Sequence, residues 1–425
     1  MKLYPFQLEA LDDTASFNRV AYYFDMGLGK TFTGGEKVKL LNANVNLLVC
    51  QKSKVSDWVD HFVKHDFEDI FGKIYDCTKW KKDDWAAFLE NPNEPCTLVI
   101  NYDLIFRRNQ LLALENFTLM LDESSLIQNP KAKRTKAIMK MTPENVVLLS
   151  GTPTGGKYEN LWSQLNLLGW KISLKAFEQN YVNWKKIEVG GFVHKVVDKE
   201  NPYKNVKRLK CKMREHGAVF VKTKDVHDLP TQTFIEIKVK TTKEYRKFQK
   251  SNIATINGKT LVGDSTLGKR LYKRMLCGHY NADKLAAFRD LLESTNDRLL
   301  VFYNFDDELH ALRGICGELE RPTSEINGHG KDLTNYLHED NSITLIQYKA
   351  GARGENLQLS NKIVYFTLTD EAELWMQSLK RTHRIGQEEP CFYYLLLCEN
   401  SIEDEEILPM LRERERYTDE LFEEA

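Results

Sequence analysis

Phe24-Asp25-Met26-Gly27-Leu28-Gly29-Lys30-Thr31 follows an apolar, aromatic run that begins at Val20, and the order reads as strand, glycine-rich loop, helix start. A phosphate cradle needs that order. Gly27 and Gly29 let successive backbone N–H groups turn toward phosphate oxygens, Lys30 can reach the β- and γ-phosphates, and the Thr31 hydroxyl can hold Mg²⁺. Met26 and Leu28 complete a loop whose expected ligand is ATP. Phe24 stands where the full pattern has its first glycine, so the Gly-Lys-Thr signal needs support from the rest of the chain.

Composition sets the bounds. With 425 residues, 42% hydrophobic and 28% charged, the chain can bury more than one core, and two to three domains are expected. Lys plus Arg (60) almost equals Asp plus Glu (61), so any nucleic-acid groove must come from local clustering. The eight cysteines show no C-x-x-C pair and no Cys/His cluster at zinc spacing, which predicts reduced thiols and no zinc. The N-terminus lacks the apolar core of a signal peptide and no apolar run is long enough to span a bilayer. A cytoplasmic protein with no membrane partner is expected.

Pro5 marks a helix start, and Gln7 within that helix could read an adenine edge, because an amide both donates and accepts. After the loop, Asn46-Leu47-Leu48-Val49-Cys50 and Thr97-Leu98-Val99-Ile100 are short apolar strands. They run into Gln51-Lys52-Ser53-Lys54 and Asn101-Tyr102. Polar residues at strand carboxyl ends sit where parallel α/β sheets bind ligands. Trp58, Trp80 and Trp85 fall at helical positions that suit a core better than base stacking. The strand Phe117-Thr118-Leu119-Met120-Leu121 ends in Asp122-Glu123, and this pair answers the phosphate loop: Asp122 can hold the Mg²⁺ while Glu123 polarises the attacking water. Val146-Val147-Leu148-Leu149 leads into Ser150-Gly151-Thr152-Pro153, a turn suited to sensing the phosphate site.

From about residue 154 to 275 the strand rhythm is lost and Lys and Arg accumulate, with Trp162, Trp184, Phe192, Tyr203, Tyr245, Phe248 and Tyr272 interleaved. A helical insertion and linker is expected, able to grip a phosphate backbone or simply to face solvent. Within it, Gly190-Gly191 marks the turn of a small hairpin. Strand and helix then alternate again, giving a second α/β unit with no phosphate loop of its own. In Gln377-Ser378-Leu379-Lys380-Arg381-Thr382-His383-Arg384-Ile385-Gly386-Gln387 a helical reading puts Arg381 and Arg384 on one face, aimed across a cleft at the γ-phosphate. A basic, solvent-exposed helix would account for Lys380 and His383 but not for the Ile-Gly-Gln ending. The acidic tail after Leu397 is expected to pack back on the core or fray.

The ordered series MGLGKT, LDES, LSGTP and RTHRIGQ resembles the superfamily-two helicases, and within them the Swi/Snf-like ATPases that translocate on double-stranded DNA. Its compactness is most similar to the short bacteriophage members. The resemblance implies two RecA-like domains with parallel sheets flanked by helices, at 1–154 and 276–400, around a helical basic insertion at 155–275 and before a tail at 401–425. It implies catalytic roles for Lys30, Asp122, Glu123, Arg381 and Arg384, and ATP contacts from Gln7, the loop 26–31, Gly354 and Gln377. Metal would lie on Thr31 and Asp122, and nucleic acid on Lys52, Ser53, Asn101, Tyr102, Arg353 and Asn356. Double-stranded DNA is the favoured partner, and a monomer is expected. Ser125 stands where the family has the His of its D-E-x-H box. A strand-separating helicase acting on RNA or forked DNA, and an ATP-gated regulator, remain as alternatives.

Overall fold

The computed structural model describes residues 2–189, 191–256, 258–351 and 356–424. The chain divides into two compact units, Met1–Val226 with Tyr417–Ala425, and His227–Arg416.

The first unit is built on a seven-stranded sheet. Its spatial order is Lys73–Asp76, Cys96–Asn101, Val45–Cys50, Thr118–Asp122, Asn145–Ser150, Arg19–Phe24 and Ala218–Val221. Every neighbouring pair is parallel. The central strands are buried along their length, which is why they read as unbroken apolar runs rather than as alternating patterns. Helices including Lys30–Leu41 and Val55–Lys64 pack on the sheet. Trp58 and Trp85 are buried, as their spacing predicts.

The second unit carries another seven-stranded sheet. In space it runs Gln232–Val239, Cys391–Cys398, Lys362–Tyr365, Leu299–Tyr303, Ile343–Gln347, Thr323–Asn327 and Gly330–Asp332. All pairs are parallel except the last, a short antiparallel edge. Within its core Lys284 and Glu403 form a wholly buried ion pair at 2.6 Å. That pair adjoins Cys277 and Cys398, so the three-residue cluster Cys277, Cys398 and Glu403 already has its charge met by an ammonium group.

The stretch expected as a separate helical insertion is instead divided between the units. Ala218–Val221 pairs with Arg19–Phe24 and finishes the first sheet, while Gln232–Val239 pairs along its whole length with Cys391–Cys398 in the second. Flanking lysines and arginines masked these strands. The hairpin Trp184–Val189 and Phe192–Val197 is present as expected, with Gly190 outside the described residues. A second hairpin, Ile253–Ile256 with Lys259–Val262, had no expectation. The tail packs on the first unit: Leu421 is fully buried, Tyr158 Oη donates to Tyr417 O at 3.0 Å, and Phe422 meets Phe220 edge-on at 5.4 Å. No helix among the described residues is long and apolar enough to cross a membrane.

Candidate active site

In the first unit the strand Arg19–Phe24 delivers the chain to a tight loop in which Gly27 (φ 86°) and Gly29 (φ 68°) adopt left-handed backbone before the helix Lys30–Leu41 begins. Lys30 folds back along the loop, its Nζ donating to Phe24 O at 3.0 Å and Asp25 O at 3.1 Å. Asp25 anchors the loop to the edge of the sheet. Its N–H donates to Val221 O at 2.9 Å, and its Oδ2 accepts from the N–H and hydroxyl of Thr223, each at 3.1 Å.

Gln7 is buried and its amide is spent on the loop itself. Nε2 donates to Leu28 O (3.0 Å) and Gly29 O (3.2 Å), and Oε1 accepts from Tyr4 N (2.9 Å). The expectation of an adenine-reading amide gives way to that of a loop brace. A Cβ at Gly29 would fall 2.5 Å from Gln7 Nε2, so the close approach requires the glycine. On the opposite side Gly151 abuts the loop, where a Cβ would lie 3.3 Å from Met26 Cγ and 3.4 Å from Lys30 Nζ.

The acidic pair closes the site. Asp122 ends the strand Thr118–Asp122, and its Oδ2 accepts from Trp58 Nε1 at 2.8 Å. Burial pushes its carboxyl above the ordinary value, opposed by the Trp58 bond and then by the charges of Lys30 and Lys54. Glu123 sits at φ 53°, a costly conformation for a residue with a side chain, and concentrates backbone strain at the expected water-activating position. Ser124 Oγ donates to Gln164 Oε1 at 2.8 Å, Tyr23 Oη donates to the same oxygen at 3.0 Å, and Gln164 Nε2 donates to Pro153 O at 2.7 Å. The turns after Asp122 and after Ser150 therefore share one buried amide. Ser125, in the place of the expected His, is buried beside it in sequence. Lys30, the half-buried Thr31, Asp122 and Glu123 form a set of one cation, one hydroxyl and two carboxylates around a glycine-bordered cradle. That set fits triphosphate oxygens and one Mg²⁺.

The second unit joins Arg381 to Gln377 and Arg384 to Asn356, with one correction to the expected geometry. The helix Ala372–Leu379 stops before both arginines, so Arg381 and Arg384 do not share a helical face. Side chains take its last carbonyls: Tyr393 Oη donates to Leu379 O at 3.1 Å and Arg381 Nε donates to Gln377 O at 3.2 Å. Arg381 and Gln377 are buried. Arg384 is half-buried, and its Nη1 donates to Asn356 Oδ1. His383 is buried rather than solvent-facing, its Nε2 donating to Pro230 O at 2.8 Å. Gln387 Nε2 donates to Gln358 O (3.1 Å) and Ser360 O (3.3 Å), sewing the turn to the loop that follows residue 355. Gly386 at φ 93° lets Gln358 pass, since a Cβ would fall 2.6 Å from its Nε2.

Of the expected nucleic-acid contacts, Lys52 and Ser53 are exposed in a short turn after the strand Val45–Cys50, and Asn356 is exposed. Asn101 and Tyr102 are buried, and Tyr102 Oη donates to Asp122 O at 2.9 Å. Tyr102 thus supports the acidic turn, while the Asn101 side-chain oxygen is buried without a hydrogen-bond partner among the described residues. Arg353 and Gly354 lie outside the described residues. Sequence reading missed Gln164, Thr223 and the Trp58 bond to Asp122, because each partner is more than 35 residues away and no spacing rule links them.

A family model, the SNF2-related domain, matches residues 24–282. Among curated proteins, the chain is 22% identical to SWI/SNF-related matrix-associated actin-dependent regulator of chromatin subfamily A member 1 of Mus musculus, over 89% of this chain and 39% of that protein. It is 23% identical to ISWI chromatin-remodeling complex ATPase ISW1 of Saccharomyces cerevisiae, over 95% and 39%. Against the subfamily A-like protein 1 of Drosophila melanogaster it is 24% identical, over 95% and 54%. The chain thus spans about two fifths to about half the length of these relatives. A solved structure, the Sulfolobus solfataricus SWI2/SNF2 ATPase core in complex with dsDNA, is similar at a TM-score of 0.45 and 17% identity, over 99% of this chain and 93% of that one.

Proposed function

The chain belongs to the SNF2-related domain family, and from that premise we propose that it hydrolyses ATP with Mg²⁺ and couples the cycle to movement along double-stranded DNA. The observation that carries the reading is the meeting of three motif turns at one amide and one ammonium: Gln164 joins the turns after Asp122 and Ser150, and Gly151 abuts Lys30.

In this reading Lys30 and the loop N–H groups bind the β- and γ-phosphates, while Thr31 and Asp122 hold the metal. When bound, Mg²⁺ supplies charge neutralisation at the phosphate oxygens. Glu123 orients the attacking water and takes up its proton. Arg381 and Arg384 supply cationic stabilisation of the transferring phosphoryl group, a role typically worth ~10³–10⁵ in rate. Gln377 and Gly354 line the nucleotide from the second unit. Lys52, Ser53, Arg353 and Asn356 contact the nucleic-acid backbone, where differential grip through the cycle becomes stepping. Action as a monomer in the cytoplasm, and kinship with short phage members, belong to the same proposal.

The test is ATP hydrolysis by the purified chain alone and with duplex DNA, single-stranded DNA or RNA added separately, followed by triplex displacement. Strong stimulation by duplex and displacement of the third strand are the expected results. Stimulation only by single strands or RNA would replace translocation with strand separation. No stimulated hydrolysis would replace it with an ATP-gated regulator.

A further inference from the structure

We infer that a small basic cavity on the first unit, away from the nucleotide cradle, is a docking site for an acidic segment of a partner protein that seats one apolar side chain. The cavity lies between the turn after the strand Cys96–Asn101 and the helix Lys133–Ile138, and holds about 240 Å³. That is below the roughly 300–1,000 Å³ of small-molecule pockets and suits a single side chain. Its floor is apolar, with Phe106, Met141 and Leu112, the last 48% exposed.

Apart from Asn109, the polar lining of the rim is cationic. Arg108, Lys133, Lys136 and Lys140 line it, and no carboxylate does. Among the described residues none of the four forms an ion pair, and Arg108 Nε is buried with no hydrogen-bond partner while its guanidinium lies 5.8 Å from the Trp85 ring centre. On a chain of net charge −1, four unmatched cations around one hollow are a local excess that selects an anionic partner. A protein segment fits better than a nucleic-acid backbone, because phosphate and sugar have nothing to place on Phe106, Leu112 and Met141. Acidic residues flanking one Leu or Phe satisfy both the rim and the floor.

The experiment titrates the full chain into a fluorescein-labelled synthetic peptide carrying one Leu between Asp and Glu residues, read by anisotropy. Saturable binding is expected, weakened by salt, and reduced at least about tenfold by Lys136→Glu with Lys140→Glu and by Leu→Ser in the peptide. Leu112→Asn should weaken it as well. Circular dichroism confirms that the variants fold, and ATP hydrolysis without peptide should be unchanged. Failure to bind, or equal binding to the doubly substituted chain, would overturn the inference. So would competition by duplex DNA with the same loss of duplex affinity in that variant, which would assign the patch to nucleic acid.

Discussion

Ser124 Oγ and Gln164 Oε1 lie 2.8 Å apart, and because the same amide donates to Pro153 O, the acidic turn cannot shift without pulling on the turn that abuts Lys30. Gln164→Leu keeps the volume but orphans Ser124 Oγ, Tyr23 Oη and Pro153 O. Each lost buried partner costs about 1–3 kcal/mol, although relaxation reduces the sum. We expect a lowered midpoint in urea and a larger loss in DNA-stimulated turnover than in nucleotide affinity. Equal losses in both would mean that the amide only stabilises the fold.

Catalysis separates by residue. Lys30→Ala should remove nucleotide turnover, and Glu123→Gln should retain ATP binding while slowing hydrolysis by roughly 10²–10⁴. Arg384→Ala should slow hydrolysis by ~10³ or more with folding preserved, since the side chain is half-buried. Single-turnover hydrolysis and fluorescent-nucleotide binding distinguish these, and normal turnover in the Lys30 or Glu123 variant would remove the active-site assignment.

Gln7 and Gly29 should behave as a coupled pair. Gln7→Ala removes two hydrogen bonds to the loop, about 1–2 kcal/mol, and should weaken ATP binding about tenfold. Gly29→Ala places a Cβ 2.5 Å from Gln7 Nε2 and should be worse in the parent than beside Gln7→Ala. Additive effects in the double variant would show that the Gln7 contact is not what constrains the glycine.

Glu308 gives the second unit a pH dependence. It lies buried at the start of the helix Asp306–Glu318, and its Oε2 accepts from Asn304 N (2.8 Å), Phe305 N (3.2 Å) and Thr367 Oγ1 (2.9 Å). Burial nevertheless pushes its pKa up to about 7 from 4.5. The folded state therefore binds a proton that the unfolded chain has released. The stabilisation is fully present below about pH 4.5 and is lost as pH rises through about 7, approaching roughly 3 kcal/mol. Urea titrations across that range should show a flatter profile for Glu308→Gln. A variant as steep as the parent would assign the titration elsewhere.

The phosphate loop, the acidic strand end and the second α/β unit were legible because local signals carry them: glycines at the turn, unbroken apolar strands and carboxylates at a strand terminus. Arg381 and Arg384 were legible as residues but not as geometry, since Tyr393, reached through the next strand, helps end the helix at Leu379. The strand 232–239 was hidden because it lies at a sheet edge, where exposed positions admit lysine and glutamate, and the strand 218–221, apolar throughout, because it is four residues long between basic segments. Gln164 carried no signal at all, its meaning depending on Ser124 and Pro153 coming near it in space.

The first unit takes its last strand from 218–221 and its closing contacts from Tyr417, Leu421 and Phe422. During synthesis, every residue of the second unit must therefore leave the ribosome before the first can be completed. The unit that holds the phosphate loop begins first and is sealed last, so a nascent chain cannot assemble its finished form until translation has passed the arginine turn.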